Sequence, residues 1–120
     1  MRAIARYRTH QKSSAPPQQV VLMLLQTAVH RLGQAARDEA QPGSASWVQD
    51  LHHVREIFLE LAAALDHEAA PELCGKLHPL YMWSVRQLAR AGRERSKQRV
   101  VEVLRVATSL LEGWQVAVYG

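Results

Sequence analysis

The run Val20-Val21-Leu22-Met23-Leu24-Leu25 puts six apolar residues in succession directly after Ala15-Pro16-Pro17-Gln18-Gln19. At about 100° per residue, six consecutive apolar side chains surround a helix instead of lining one stripe of it. Such a helix needs neighbours on more than one side. Either it sits at the centre of a bundle, or one of its faces serves something outside the chain. Proline is tolerated in a first turn, where its missing N–H would lack a partner anyway. The pattern therefore predicts a helix that opens near Pro16 and Pro17 and runs to about Ala40, before the turn signal Pro42-Gly43. Val21, Leu24, Leu25, Ala28, Leu32 and Ala35 form its inner stripe, and Leu22 and Val29 form a second one.

Three more helices follow from the same three-and-four spacing. The second begins after Ser44 or Ser46, either a suitable N-cap, and runs to about Asp66 with Val48, Leu51, Val54, Phe58, Leu61 and Leu65 on its core face, which Ile57 broadens. The third starts at about Pro71, with Glu72 near the positive end of the helix dipole, and carries Leu73, Leu77, Leu80, Tyr81, Ser84, Val85 and Leu88 as far as Ala91-Gly92. Pro79 lies inside it, removes one backbone hydrogen bond and should bend the axis. The fourth starts after Ser96 and presents Val100, Val103, Leu104, Ala107, Leu110, Leu111, Trp114 and Val118. No alternating β-branched run bounded by hairpin turns appears.

Four long helices with short connections predict an all-α fold, an antiparallel up-and-down four-helix bundle with a short N-terminal helical arm or cap. Residues 1–14 form that arm, with Ile4 and Tyr7 one turn apart, and residues 15–120 form the bundle, a single domain overall. The first helix, and to a lesser extent the fourth, exceed the ~100° apolar stripe that a bundle helix needs. That excess predicts a covering segment, the arm with Ile4 and Tyr7, or a groove for an amphipathic guest helix.

Composition narrows the function. At 120 residues the chain can bury a core without disulfides or metals, and its one cysteine, Cys74, has no partner and suits a buried helical position. No apolar stretch reaches the ~18–20 residues of a membrane span and no signal-peptide core follows the N-terminal charges, so the chain reads as cytoplasmic, without membrane insertion. The net charge of +4 is unevenly placed. Arg2, Arg6, Arg8 and Lys12 crowd the arm, and the stretch from Arg86 to Arg105 holds seven cations against Glu94 and Glu102. Aromatic residues are not interleaved with these cations and no recognition-helix pattern accompanies them, so nucleic acid is not the expected partner.

The chain shows no arrangement suited to catalysis. None of the six histidines, His10, His30, His52, His53, His67 and His78, pairs with another at three or four residues on one helix, as a zinc motif requires. Glu56 and Glu60 are four apart but lack the Glu-x-x-His partner of a di-iron bundle. There is no phosphate loop, nucleophile elbow or Cys-x-x-Cys. The expectation is a binding protein, not an enzyme, with no cofactor or metal.

In order along the chain, Tyr7, Ser14-Ala15-Pro16-Pro17, Leu22-Met23-Leu24-Leu25, the segment from Val54 to Leu61 with Leu65-Asp66, Leu80-Tyr81-Met82 and Trp114 resemble the flagellin export chaperone family, FliS. The resemblance spans Tyr7 to Trp114. It departs at Leu25, where the family tends to have Tyr, at Gln26-Thr27, and at Pro79. Members are cytoplasmic antiparallel bundles that bind the disordered C-terminal segment of new flagellin, keep it monomeric and deliver it to the flagellar type III export gate. The resemblance therefore implies chaperone function in flagellum biogenesis, coupled folding and binding of the guest, and an N-terminal segment that covers part of the empty site. On that reading Ile4 and Tyr7 are the cover, and Leu22, Leu25 and Val29 are groove contacts. Two other classes share these features: a helical regulatory adaptor for another flagellar partner such as an anti-sigma factor, and a small basic nucleic-acid binder whose affinity would fall steeply with salt.

Overall fold

Four helices, α1 (Gln18–Ala35), α2 (Ala45–Ala63), α3 (Pro71–Glu94) and α4 (Lys97–Tyr119), make up the computed structural model of the chain, which describes residues 18–119. Among these residues there is no strand. Each helix packs on the next, and α4 returns to α1, with no diagonal contact across the ring. The short connections make neighbours antiparallel, so the order is up-down-up-down as expected.

The core forms where apolar residues alternate at four and three. Val21, Leu25, Ala28, Leu32 and Ala35 of α1 face Trp47, Leu51, Val54, Phe58 and Leu61 of α2, all buried. Tyr81, Val85, Leu88 and Ala91 of α3 and Val100, Val103 and Ala107 of α4 close the ring. The rings of Phe58 and Tyr81 meet at 6.0 Å and 42°, within the tilted range that aromatic pairs favour. Each fully buried leucine of this kind contributes about 2–3 kcal/mol by leaving water.

Local chemistry sets the helix ends. Ser44 caps α2 by accepting from the Trp47 N–H at 3.3 Å, and Ser96 does the same for α4 through the Arg99 N–H at 3.3 Å. Pro71 occupies the first turn of α3 and Glu72 complements its dipole. At the other end Arg95 takes the left-handed conformation (φ 53°), and two residues suffice to reverse the chain into α4. Pro79 lies on the exposed side of an unbroken α3, so the carbonyl that its ring leaves unpaired faces water. The buried hydroxyl of Ser84 donates to Leu80 O at 3.0 Å.

Three sequence expectations shift. α1 ends at Ala35, five residues before Ala40, where the chain passes into turns closed by Arg37 N–H to Gln34 O and Ala40 N–H to Arg37 O, and side chains of other elements take further carbonyls. The Trp47 indole N–H donates to Ala35 O at 3.1 Å, and Lys97 Nζ donates to Arg37 O and Asp38 O at 2.6 and 2.9 Å. α2 stops at Ala63, with Ala64 as its C-cap, instead of reaching Asp66. On α2 Trp47 takes the core position and Val48 lies exposed at 48%. Cys74 is buried as expected, its thiol donating to Asp66 O at 3.3 Å.

Candidate functional site

Among the described residues α3 and α4 are the two longest helices. α3 and α4 have 24 and 23 residues against 18 and 19 for α1 and α2 as described. Lys97 and Arg95 tie the tight hairpin turn to the α1–α2 connection, so the two pairs are level at that end. Burial falls along α4 towards its C-terminal end. Val100, Val103 and Ala107 are fully buried, Leu110, Leu111 and Trp114 only partly, and Val116 and Tyr119 are 68% and 73% exposed.

At the end away from that turn lies an apolar groove of about 410 Å³, lined by Leu73 and Leu77 of α3, by Leu110, Gly113, Trp114 and Ala117 of α4, and by Gln18 of α1. Leu73 is 53% exposed on its rim. No atom stands within 4 Å of where a Cβ at Gly113 would project, so the bare backbone there widens the groove. Beneath its wall the Tyr81 hydroxyl is pushed up to about 12 by burial, partly offset by a hydrogen bond from the Trp114 side chain. Tyr81 thus stays neutral and joins the groove to the core.

Among the described residues no three His, Cys, Asp or Glu side chains converge as metal ligands. His67 and His78 stand edge to face at 5.8 Å, and His52 pairs with Glu56 at 2.9 Å, both on exposed surface. Burial, followed by the Arg31 charge, holds the His53 imidazole below its ordinary value. No helix among the described residues is long and apolar enough to cross a membrane.

The sequence-predicted contacts fall elsewhere. Leu25 is fully buried in the central core, Leu22 is 4% exposed, and Val29 is half-buried against that core. None of the three lines the groove, to which α1 contributes Gln18. Ile4 and Tyr7 lie outside the described residues. Leu73, Leu77, Leu110 and Trp114 were legible as apolar stripes, but periodicity gives only the direction in which a side chain points. It does not tell whether a neighbouring helix extends far enough to cover it.

A helical bundle with an apolar cleft at one end has the geometry of helix-in-groove recognition. The chain is a member of the flagellar protein FliS family, whose model matches residues 1–119. It is also 28% identical over 109 residues to the flagellar secretion chaperone FliS of Campylobacter jejuni subsp. jejuni serotype O:6 (strain 81116 / NCTC 11828), a match covering 91% of this chain and 85% of that protein. The resemblance read from the sequence is thereby shown.

Proposed function

We propose that this protein is a cytoplasmic chaperone of flagellin, which binds the disordered C-terminal segment of the new subunit, prevents its premature polymerisation and hands it to the flagellar type III export apparatus. Family membership and the name of its Campylobacter relative support the chaperone reading. The observation that carries it furthest is the apolar groove between Leu73 and Leu77 on one side and Leu110, Trp114 and Ala117 on the other. An amphipathic guest helix laid there buries its own apolar stripe and the exposed Leu73 together, and that burial offsets the cost of ordering the guest.

Calorimetric titration with a flagellin C-terminal peptide at two salt concentrations tests this. Binding through the groove gives a negative heat-capacity change and weak salt dependence. Leu73→Asp should abolish it while helicity persists, since Leu73 is already half in water. An unchanged affinity in that variant, or a steep salt dependence, overturns the groove reading. Ile4 and Tyr7 act in this proposal as a movable cover, so deletion of residues 1–12 leaves a folded bundle that binds at least as well. A collapse of thermal stability sinks the cover. Leu22 and Val29 are tested by a charged replacement read for helicity and binding together: loss of binding alone makes them guest contacts, and loss of both makes them core.

A further inference from the structure

The outer face of α3 is the most one-sided surface of the described residues. Between Glu72 and Glu94 the helix carries no Asp or Glu, while Lys76, Arg86, Arg90 and Arg93 are all exposed. At 100° per residue these four fall with Trp83 in an arc of about 100°, opposite Ser84, Leu88 and Ala91, which point into the bundle. Lys76, Trp83 and Arg90 recur every seven residues, and Arg86 and Arg93 form a second column with the same interval. Trp83 is half-buried and packs against the core, so one side of its ring remains at the surface.

Little of this charge is neutralised within the chain. Glu94 accepts from Arg99 at 2.8 Å and lies 3.6 Å from Arg90. Glu102 is engaged by Gln87 at 3.4 Å, and Gln87 in turn accepts from Arg99 at 3.1 Å. Lys76, Arg86 and Arg93 have no ion-pair partner among the described residues.

We infer that this face is a docking ridge for an acidic helix of another protein. A seven-residue interval along an exposed helix face is the spacing at which a second helix stays in register, and opposite charges select such a partner. A half-buried Trp beside arginines supplies the apolar anchor that protein interfaces concentrate at their centres. Duplex nucleic acid fits less well: the ridge is convex, offers no element to enter a groove, and meets few phosphates at once. An anionic bilayer would gain from the charges, but the only apolar side chains on the arc are the half-buried Trp83 and the ring of Pro79, too little to insert. The inference goes beyond the groove and is independent of its guest, since the ridge lies on the side of α3 turned away from the bundle.

The test is fluorescence anisotropy with a labelled synthetic amphipathic peptide whose glutamates stand three and four residues apart along one face, with a duplex DNA and phosphatidylglycerol vesicles as competing probes. The expected result is peptide binding that weakens as salt rises, falls at least about tenfold in Arg86→Glu/Arg93→Glu and survives in Arg86→Lys/Arg93→Lys. Circular dichroism of each variant confirms the fold, because both positions are exposed, and Leu73→Asp leaves the peptide affinity intact. Tighter binding to DNA or to vesicles than to the peptide overturns the proposal. So does peptide binding that is absent in the wild-type chain or indifferent to the charge reversal. Flagellin-peptide affinity, measured on the same charge-reversed variant, stays unchanged, so failure here and failure of the groove are told apart.

Discussion

The indole N–H of Trp47, at the start of α2, donates across 3.1 Å to the carbonyl oxygen of Ala35, the last residue of α1. One side chain thereby ends the first helix and anchors the second. It is 2% exposed, so both the donor and the carbonyl would lack water if separated. Trp47→Phe keeps most of the ring volume and removes the donor, leaving a buried carbonyl unpaired. The expected cost is about 1–3 kcal/mol, read as a lower urea midpoint at unchanged slope.

Two glycines should respond to alanine in opposite directions. Gly43 has φ +88°, and a Cβ there would stand 2.8 Å from Arg95 Nε, so Gly43→Ala loosens the contact between the α1–α2 connection and the hairpin turn. Gly113 lies inside α4 with open space around the missing Cβ. Gly113→Ala should stabilise the chain by up to about 1 kcal/mol through helix propensity, and Gly43→Ala should destabilise it by at least that much. Thermal melts of both variants decide the pair.

Tyr81 makes alkaline stability diagnostic. Its hydroxyl titrates at about 12 in the fold against 10 for an unburied tyrosine. The folded state therefore binds its proton more tightly than the unfolded chain does. This contribution is fully present below pH 10 and is lost as pH rises from 10 towards 12, with a total on the order of 2 kcal/mol. Tyr81→Phe removes that term, so the difference in unfolding free energy between wild type and variant should shift in this window and stay flat below it.

Cys74 should behave as an inert thiol. It is 3% exposed and donates to Asp66 O, which ties the start of α3 to the connection before it. Its reaction with an aromatic disulfide reagent should be slow in native buffer and should accelerate with unfolding, not with reagent concentration alone. Fast modification of the folded chain would show that the first turn of α3, which carries Leu73 beside the groove, opens locally.

Much of the fold was legible because the apolar residues keep a four-and-three interval through α1, α2, α3 and the first half of α4, a pattern that only a helix aligns on one face. Val21, Leu25, Ala28, Leu32 and Ala35 are buried as that interval requires. The surplus of apolar residues in Val20 to Leu25 correctly marked a helix with neighbours on two sides, α2 and α4. Leu24 joins the central core and Leu22 is 4% exposed, while Met23 is left 48% exposed. Val48 and Trp47 both fit the phase of α2, and their order was decided by size and by the partner that the indole found in Ala35. The groove was the least legible part, since Leu73 and Trp114 have the phase of core residues and differ from them only in height along the bundle.

By itself the sequence determined the helical class, the number of helices, their order and the side each turns inward, because these follow from local periodicity and from caps within a few residues. The resemblance to a chaperone family was likewise carried by residues in sequence order. Where α1 stops, which residues at the far end of α3 and α4 remain uncovered, and how the cations of α3 escape neutralisation were decided only by tertiary structure. Each depends on how far one helix extends relative to another and on donors such as Trp47 and Lys97 that arrive from remote parts of the chain, and no local pattern encodes those distances.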